Sequence, residues 1–171
     1  MERSELDRIG EIDRSEEILQ EYVCRDGSLH LKIGHWSVPR WTQDGQGGHS
    51  VPGKIAVWRP WLEEGGTMFE AFDGEAFVAF AVYRPRLSVG LVQLGVLHVS
   101  SSYRRQGLGA VLAAKVIESA RSDGATQLYV SSAPTRGTVE FYQSLGFRPT
   151  RETNRELFEL EPEDIHMTME L

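Results

Sequence analysis

The stretch SSYRRQGLGAVLAAKVIESA, residues 101–120, decides how this chain is read. Leu108, Val111, Leu112, Val116 and Ala120 recur at helical spacing and predict a helix with one apolar face, with Arg121 in its last turn and Gly124 as its stop. In front of it lies VGLVQLGVLHVS (89–100), a mostly apolar run that predicts a central strand; behind it TQLYVS (126–131) predicts another. Strand, helix and strand make a right-handed βαβ unit, so the two strands are expected to be parallel within a mixed sheet. The glycine loop therefore sits at a helix N-terminus, where backbone N–H groups are unpaired and the helix dipole is positive. Gly107 and Gly109 let a bulky anion approach the main chain, Arg104 and Arg105 add charge, and a phosphate or pyrophosphate is the anion expected.

Known phosphate motifs fit this loop poorly. A dinucleotide fingerprint needs a third glycine and a tight turn, which GLGAVL and the long SSSYRRQ segment do not offer; a P-loop needs a Lys that is absent. On the loop alone, two glycines that merely permit a tight turn remain an open reading.

Working outward, TMFEAF (67–72), the Asp73-Gly74 turn and EAFVAFAVYR (75–84) read as a hairpin that continues into the central strand as a three-stranded meander. Beyond the βαβ unit, TRGTVEFYQSLGF (135–147) reads as a helix closed by Gly146, and ELFEL (156–160) and DIHMTMEL (164–171) as closing strands. Ile165, Met167 and Met169 then share a core face, which sends His166 to the surface. Upstream, Ser4 caps a helix through Leu6, Ile9 and Ile12, and DRSEEILQEYV (13–23) restarts the helical signal with capping-box spacing from Asp13 to Glu16. SLHLKI (28–33) alternates like a strand. Residues 34–66 hold all four tryptophans and the run DGQGGHSVPG, predicting a loop with at most a short helix near 54–65. Those tryptophans either close a small core or wall a pocket.

At 171 residues one domain is expected. A net charge of -7 disfavours nucleic acid, which needs clustered Lys and Arg, and suits an amine-bearing partner better. No apolar run is long enough to span a bilayer and the N-terminus is charged, so no membrane association and a cytoplasmic location are the expectation. Cys24 is the only cysteine and reads as a small, at least half-buried hydrophobe; it offers neither a disulfide nor a Cys-based zinc site, and no metal is expected.

Two motifs in order carry a resemblance. Arg104-Arg105-Gln106-Gly107-Leu108-Gly109-Ala110 resembles the Arg/Gln-x-x-Gly-x-Gly/Ala signature of the GNAT superfamily of acyl-CoA-dependent N-acyltransferases, and VEFYQSLGF (139–147) resembles its helix ending in Phe-Tyr-x-x-x-Gly-Phe. The likeness is firm over about 67–148. It implies an α/β, GNAT-like single domain over 1–171, with a mixed central sheet splayed at the acyl-CoA site and flanking helices: 1–66 as acceptor-side helices and loop, 67–148 as the acetyl-CoA-binding core, 149–171 as closing strands. It further implies acetyl-CoA as co-substrate, its pyrophosphate on the amides of Arg105 to Ala110 beside Arg104, and its pantetheine arm along the main chain of Leu97, His98 and Val99, next to Phe141. Gly95 could supply the bulge that opens the sheet there.

The same resemblance makes Tyr142 the general acid for the departing thiolate. Where relatives that use a glutamate base carry it, this chain has Gln93, which accepts no proton. His98 reads as a satisfied, partly buried histidine unless a bulge intervenes. Thr135 stands where many relatives hold pantetheine with Asn, with Ser131 and Ser132 nearby as substitutes. The acceptor would be an amine-bearing small molecule, or a peptide presenting an N-terminus or lysine, received by Glu11 and Glu16 from the first helices. The protein would act as a monomer or homodimer. The other reading is an acyl-CoA-binding or regulatory module without turnover.

Overall fold

Asp26 and Gly27 both take left-handed backbone conformations (φ 53° and 78°) and join two antiparallel strands, β1 (Glu16–Arg25) and β2 (Ser28–Val38), with Arg25 paired to Ser28 across the turn. This is the two-residue hairpin that an Asp-Gly pair favours. The computed structural model describes residues 5–171. The helix expected over 13–23 does not form. Once 28–38 extends as a strand, the segment before the turn becomes its partner, and the capping-box spacing is satisfied differently: the Asp13 carboxylate accepts the Ser15 amide at 3.1 Å as a local turn. The acceptor-side region is thus mostly a hairpin and a loop. Cys24, on that hairpin, is exposed rather than buried. Of the first expected helix, a 3-10 helix over Glu5–Glu11 is present, and Leu6, Ile9 and Ile12 are buried. Its expected cap, Ser4, lies outside the described residues.

Helix α1 (Val51–Glu63) starts at Ser50, whose hydroxyl accepts the Gly53 amide at 3.1 Å, and buries Trp58 and Trp61. Then follow β3 (Thr67–Asp73), β4 (Ala76–Ser88), β5 (Leu91–Val99), α2 (Leu108–Ser122), β6 (Gln127–Ser132), α3 (Arg136–Ser144), β7 (Arg148–Pro149), α4 (Arg155–Leu160) and β8 (Ile165–Glu170). Six of these strands form one sheet in the order β3-β4-β5-β6-β8-β7. Only β5 and β6 run parallel, as the βαβ unit requires.

The segment ELFEL is helix α4, not a strand. Asn154 caps it, accepting the Leu157 amide at 3.1 Å, while its own amide is held by the Tyr129 hydroxyl; only Leu157 of the helix is buried. This helix also explains why His166 is not on the surface. The sheet is covered on both sides at β8, leaving His166 6% exposed, with Nε2 donating to the Glu161 carbonyl at 3.2 Å and Nδ1 accepting from the Tyr129 hydroxyl at 2.9 Å. Burial holds its pKa below the usual imidazole value.

Two apolar cores flank the sheet. One, under α2 and α3, gathers Ala79, Ala81, Val92, Leu94, Val116, Val130, Tyr142, Phe147 and Met167. The other, under the first helical turns and α1, gathers Ile9, Trp41, Trp58, Trp61, Phe80, Val82 and Val96. Three of the four tryptophans therefore build core; Trp36 is partly exposed and donates to Glu21 at 2.6 Å. Gly95 decides which face the end of β5 presents. Val82 pairs with Val96 and Tyr83 with Leu94, so Gly95 is bulged out of the ladder. Val92 and Leu94 face the α2 core, yet beyond the bulge Val96 faces the α1 core and His98 follows it. Strict alternation would have put both on the other side. No described helix is long and apolar enough to cross a membrane.

Candidate active site

β5 and β6 share three pairs, Leu91 with Gln127, Val92 with Leu128 and Gln93 with Tyr129, and then part. The Ser100 amide is bonded to Val78 of β4 at 2.9 Å, so the Val99 carbonyl in the same planar peptide points the opposite way, into the opening, where Nε of Arg104 donates to it at 3.2 Å. By strand alternation Leu97 presents its main chain to the opening as well. The edge expected to pair with a pantetheine arm is therefore unpaired by β6.

The glycine loop begins with a single 3-10 turn over Ser101–Tyr103. Arg105 (φ 63°) and Gly107 (φ 88°) are left-handed, and no side chain caps α2. The N–H groups of Leu108, Gly109 and Ala110 thus have no helical acceptor. Consecutive N–H groups around left-handed residues form an anion-binding concavity. A Cβ at Gly109 would stand 3.4 Å from the Phe141 ring and 3.6 Å from Leu97, so strand, loop and α3 meet there and bring Leu97, Gly109 and Phe141 to one place. The two arginines have separate tasks. Arg104 is tied down, donating to Glu16 at 3.0 Å, to the Arg14 carbonyl at 3.0 Å and to Val99, whereas Arg105 is exposed at the loop. Gln106 donates to the Ser102 carbonyl at 3.1 Å and holds the loop's shape.

Replacing Gly107 by Val should raise KM for acetyl-CoA roughly tenfold with little change in kcat. A β-branched residue is strained at φ 88° by about 1–2 kcal/mol, and the loop relaxes away from its anion-binding shape. Steady-state kinetics at saturating acceptor reads this out.

Tyr142 lies on α3, 5% exposed, between the rings of Phe141 and Phe147 (centroids 5.3 and 5.5 Å away). Its hydroxyl has no hydrogen-bond partner among the described residues. Burial, reinforced by the charge of Asp164, raises its pKa, so the phenol keeps its proton at neutral pH. Thr135 is occupied otherwise: it caps α3, accepting the Thr138 amide at 3.2 Å and donating to the Thr138 hydroxyl at 2.8 Å. Thr135→Ala should accordingly cost about 1 kcal/mol of stability in urea unfolding. Ser131 lies 3.4 Å from His166, and Ser132 donates to the Ala133 carbonyl.

Glu11 and Glu16 are not brought together as an amine receptor. Glu11 accepts two bonds from Arg8, which also reaches the Glu75 carbonyl, and Glu16 is paired with Arg104. Asp13 is a tie between segments: it accepts from Ser15, Arg40 and Ser101, which together with its local turn hold its carboxyl at about 2. Gln93 is buried and accepts from Arg84 at 3.4 Å. His98 stands edge-on to Trp41 at 5.4 Å and beside Phe80; burial, with Arg14, Lys54 and Arg104 nearby, lowers its pKa to about 3 and makes it a poor base.

Sequence reasoning overlooked Lys54, Glu161 and Asp164, which lie within electrostatic reach of one another by the opening. The acidic run EPED just before the last strand was the available signal. No group of three or more His, Cys, Asp or Glu among the described residues could hold a metal ion.

A family model described as the acetyltransferase (GNAT) family matches residues 32–147. N-acetyltransferase 8 of Homo sapiens is 30% identical over 100 residues, 55% of this chain and 44% of that protein, so the chain spans less than half of this relative's length. A candidate streptothricin acetyltransferase of Bacillus anthracis str. Ames, solved with acetyl coenzyme A, superposes over 100% of this chain and 95% of its own at 14% identity, with a TM-score of 0.71. Nourseothricin acetyltransferase superposes over 93% of this chain and 88% of its own at 16% identity, with a TM-score of 0.65. The last two are likenesses of fold.

Proposed function

Because the chain belongs to the GNAT family of acetyltransferases, we propose that it transfers an acetyl group from acetyl-CoA to a primary amine, which attacks the thioester directly. The observation that carries this reading is the parting of β5 from β6 beyond Gln93, with the uncapped helix α2 at one side and the unpartnered Tyr142 hydroxyl at the other. The pyrophosphate lies on the N–H groups of the glycine loop with Arg105 alongside. The pantetheine arm pairs with Leu97 and Val99 as a strand would. The Val99 N–H faces the opening and receives the oxyanion as the carbonyl becomes tetrahedral. The C–N bond forms, the C–S bond breaks, and Tyr142 gives its proton to the sulfur.

The acceptor is a small amine or a peptide amine, approaching from the α1 side of the sheet, where His98 and Lys54 lie. A protein that binds the donor without turnover is the competing reading, favoured by Gln93 standing where a glutamate base would be. Release of free thiol from acetyl-CoA across a panel of amines and peptides tests the two. Turnover with any amine supports transfer, and donor binding with no thiol release overturns it.

A further inference from the structure

An alkylammonium with a pKa of about 10.4 must lose a proton before it can attack, and neither Gln93 nor His98 takes one at neutral pH. Around the opening, groups from both faces of the sheet converge. Ile165 pairs with Ser132, the last residue of β6, so Asp164 stands at the C-terminal end of that strand. Glu161, immediately after α4, shares a hydrogen bond with the Asp164 carboxyl. Lys54, from α1, is near enough to feel Glu161, Asp164 and Arg14, but it makes no ion pair within 4.0 Å among the described residues; its ammonium rests 5.6 Å from the Trp58 ring. Tyr142, from α3, feels the charge of Asp164 and has its hydroxyl unpartnered. The hydroxyl of a buried tyrosine that bonds to no described group, and a half-buried ammonium that pairs with no carboxylate within 4.0 Å, flank a carboxyl and make a place for one more polar group.

We propose that Asp164 is the proton acceptor for the incoming ammonium, with Glu161 and Lys54 setting how readily it takes that proton. This rests on the acetyl-transfer reading above. Asp164 removes one proton from the ammonium and releases it to solvent. The neutral nitrogen forms the C–N bond as the C–S bond breaks. Tyr142 protonates the departing sulfur, and the proton that the nitrogen sheds on becoming an amide restores Tyr142.

Burial first, and then Glu161, raise the Asp164 carboxyl to about 7, against the opposing pull of Lys54. The base must be ionised, so kcat/KM for the amine should rise with pH through about 7 and level off above it. Stability runs the other way. A carboxyl with an ordinary pKa of 3.8 when unfolded and about 7 when folded favours the fold below that window, and the advantage is lost as pH rises through it.

The test measures thiol release from acetyl-CoA between pH 5.5 and 9, with spermidine, glycinamide and a free-N-terminus peptide as probes, for wild type and for Asp164→Asn, Asp164→Glu, Glu161→Gln, Lys54→Met and Tyr142→Phe. Asp164→Asn should lower plateau kcat/KM roughly a hundredfold and abolish the inflection near 7, while melting no lower than wild type at pH 8; Asp164→Glu should restore part of the rate. Glu161→Gln should move the inflection to lower pH and Lys54→Met to higher pH. An inflection that survives Asp164→Asn, or that neither neighbour moves, overturns the proposal. If Tyr142→Phe fails while Asp164→Asn keeps the wild-type profile, acetyl transfer stands and this proposal alone falls. If acetyl-CoA binds but no probe releases thiol, the transfer reading falls and takes this one with it.

Discussion

Replacing Tyr142 by Phe should lower kcat for acetyl transfer about a hundredfold while leaving the dissociation constant of acetyl-CoA within a factor of about two. The ring is built into the core against Phe141 and Phe147, so the substitution keeps the packing and removes a hydroxyl that satisfies no other described group. Nothing is left unpaired by its loss, and the melting temperature should hold or rise slightly. In the proposed mechanism, what disappears is the proton for the sulfur. A simple thiolate has a pKa of about 8.5 and leaves poorly without one, whereas the phenol, held protonated by burial, donates without first having to gain a proton. Single-turnover kinetics should show the deficit in the chemical step. A variant that binds the donor normally and transfers at the wild-type rate would remove Tyr142 from the mechanism.

The second large effect concerns stability. Trp61→Ala should cost about 3–5 kcal/mol in urea unfolding, since the ring is 8% exposed and fills the space above Gly95. A Cβ on Gly95 would stand 2.7 Å from that ring, so Gly95→Ala alone should cost about 1–3 kcal/mol through overpacking. Together they should cost less than the sum by about 0.5–3 kcal/mol, because the methyl enters the space the indole vacates. Strict additivity would show that the ring does not hold the bulge. The consequence reaches the site, because the bulge turns His98 toward the α1 side and keeps Leu97 in contact with the α2 core.

The sheet and the βαβ unit were legible because they rest on local signals: apolar runs bounded by turns, a helical period over Leu108 to Ala120, and glycines where backbone geometry demands them. The N-terminal segment misled for an equally local reason. Asp13 to Glu16 has the spacing of a helix cap, but the Asp26-Gly27 turn and the strand after it claim residues 16–25 for pairing, a choice made between segments. ELFEL alternates well enough for a strand, and only the Asn154 cap and the Tyr129 hydroxyl that holds it reveal a helix. Of the proposed site, the glycine loop and Tyr142 are readable because they carry motifs. Asp164 is not: its environment is assembled from α1, α3 and α4, and no spacing within the chain encodes that meeting.

The parting of β5 and β6 also bears on how the protein avoids sticking to itself. Sheets usually expose unpaired main chain at their rims, where a second molecule can add a strand. Here the rims are poor templates: β7 is two residues long and contains Pro149, and β3 carries Glu70 and Asp73. The apolar strands that would template aggregation most readily keep their free edge in the middle of the sheet, flanked on both sides by their own neighbours. A strand from a second molecule meets only a two-residue strand and a charged one at the rims of this sheet.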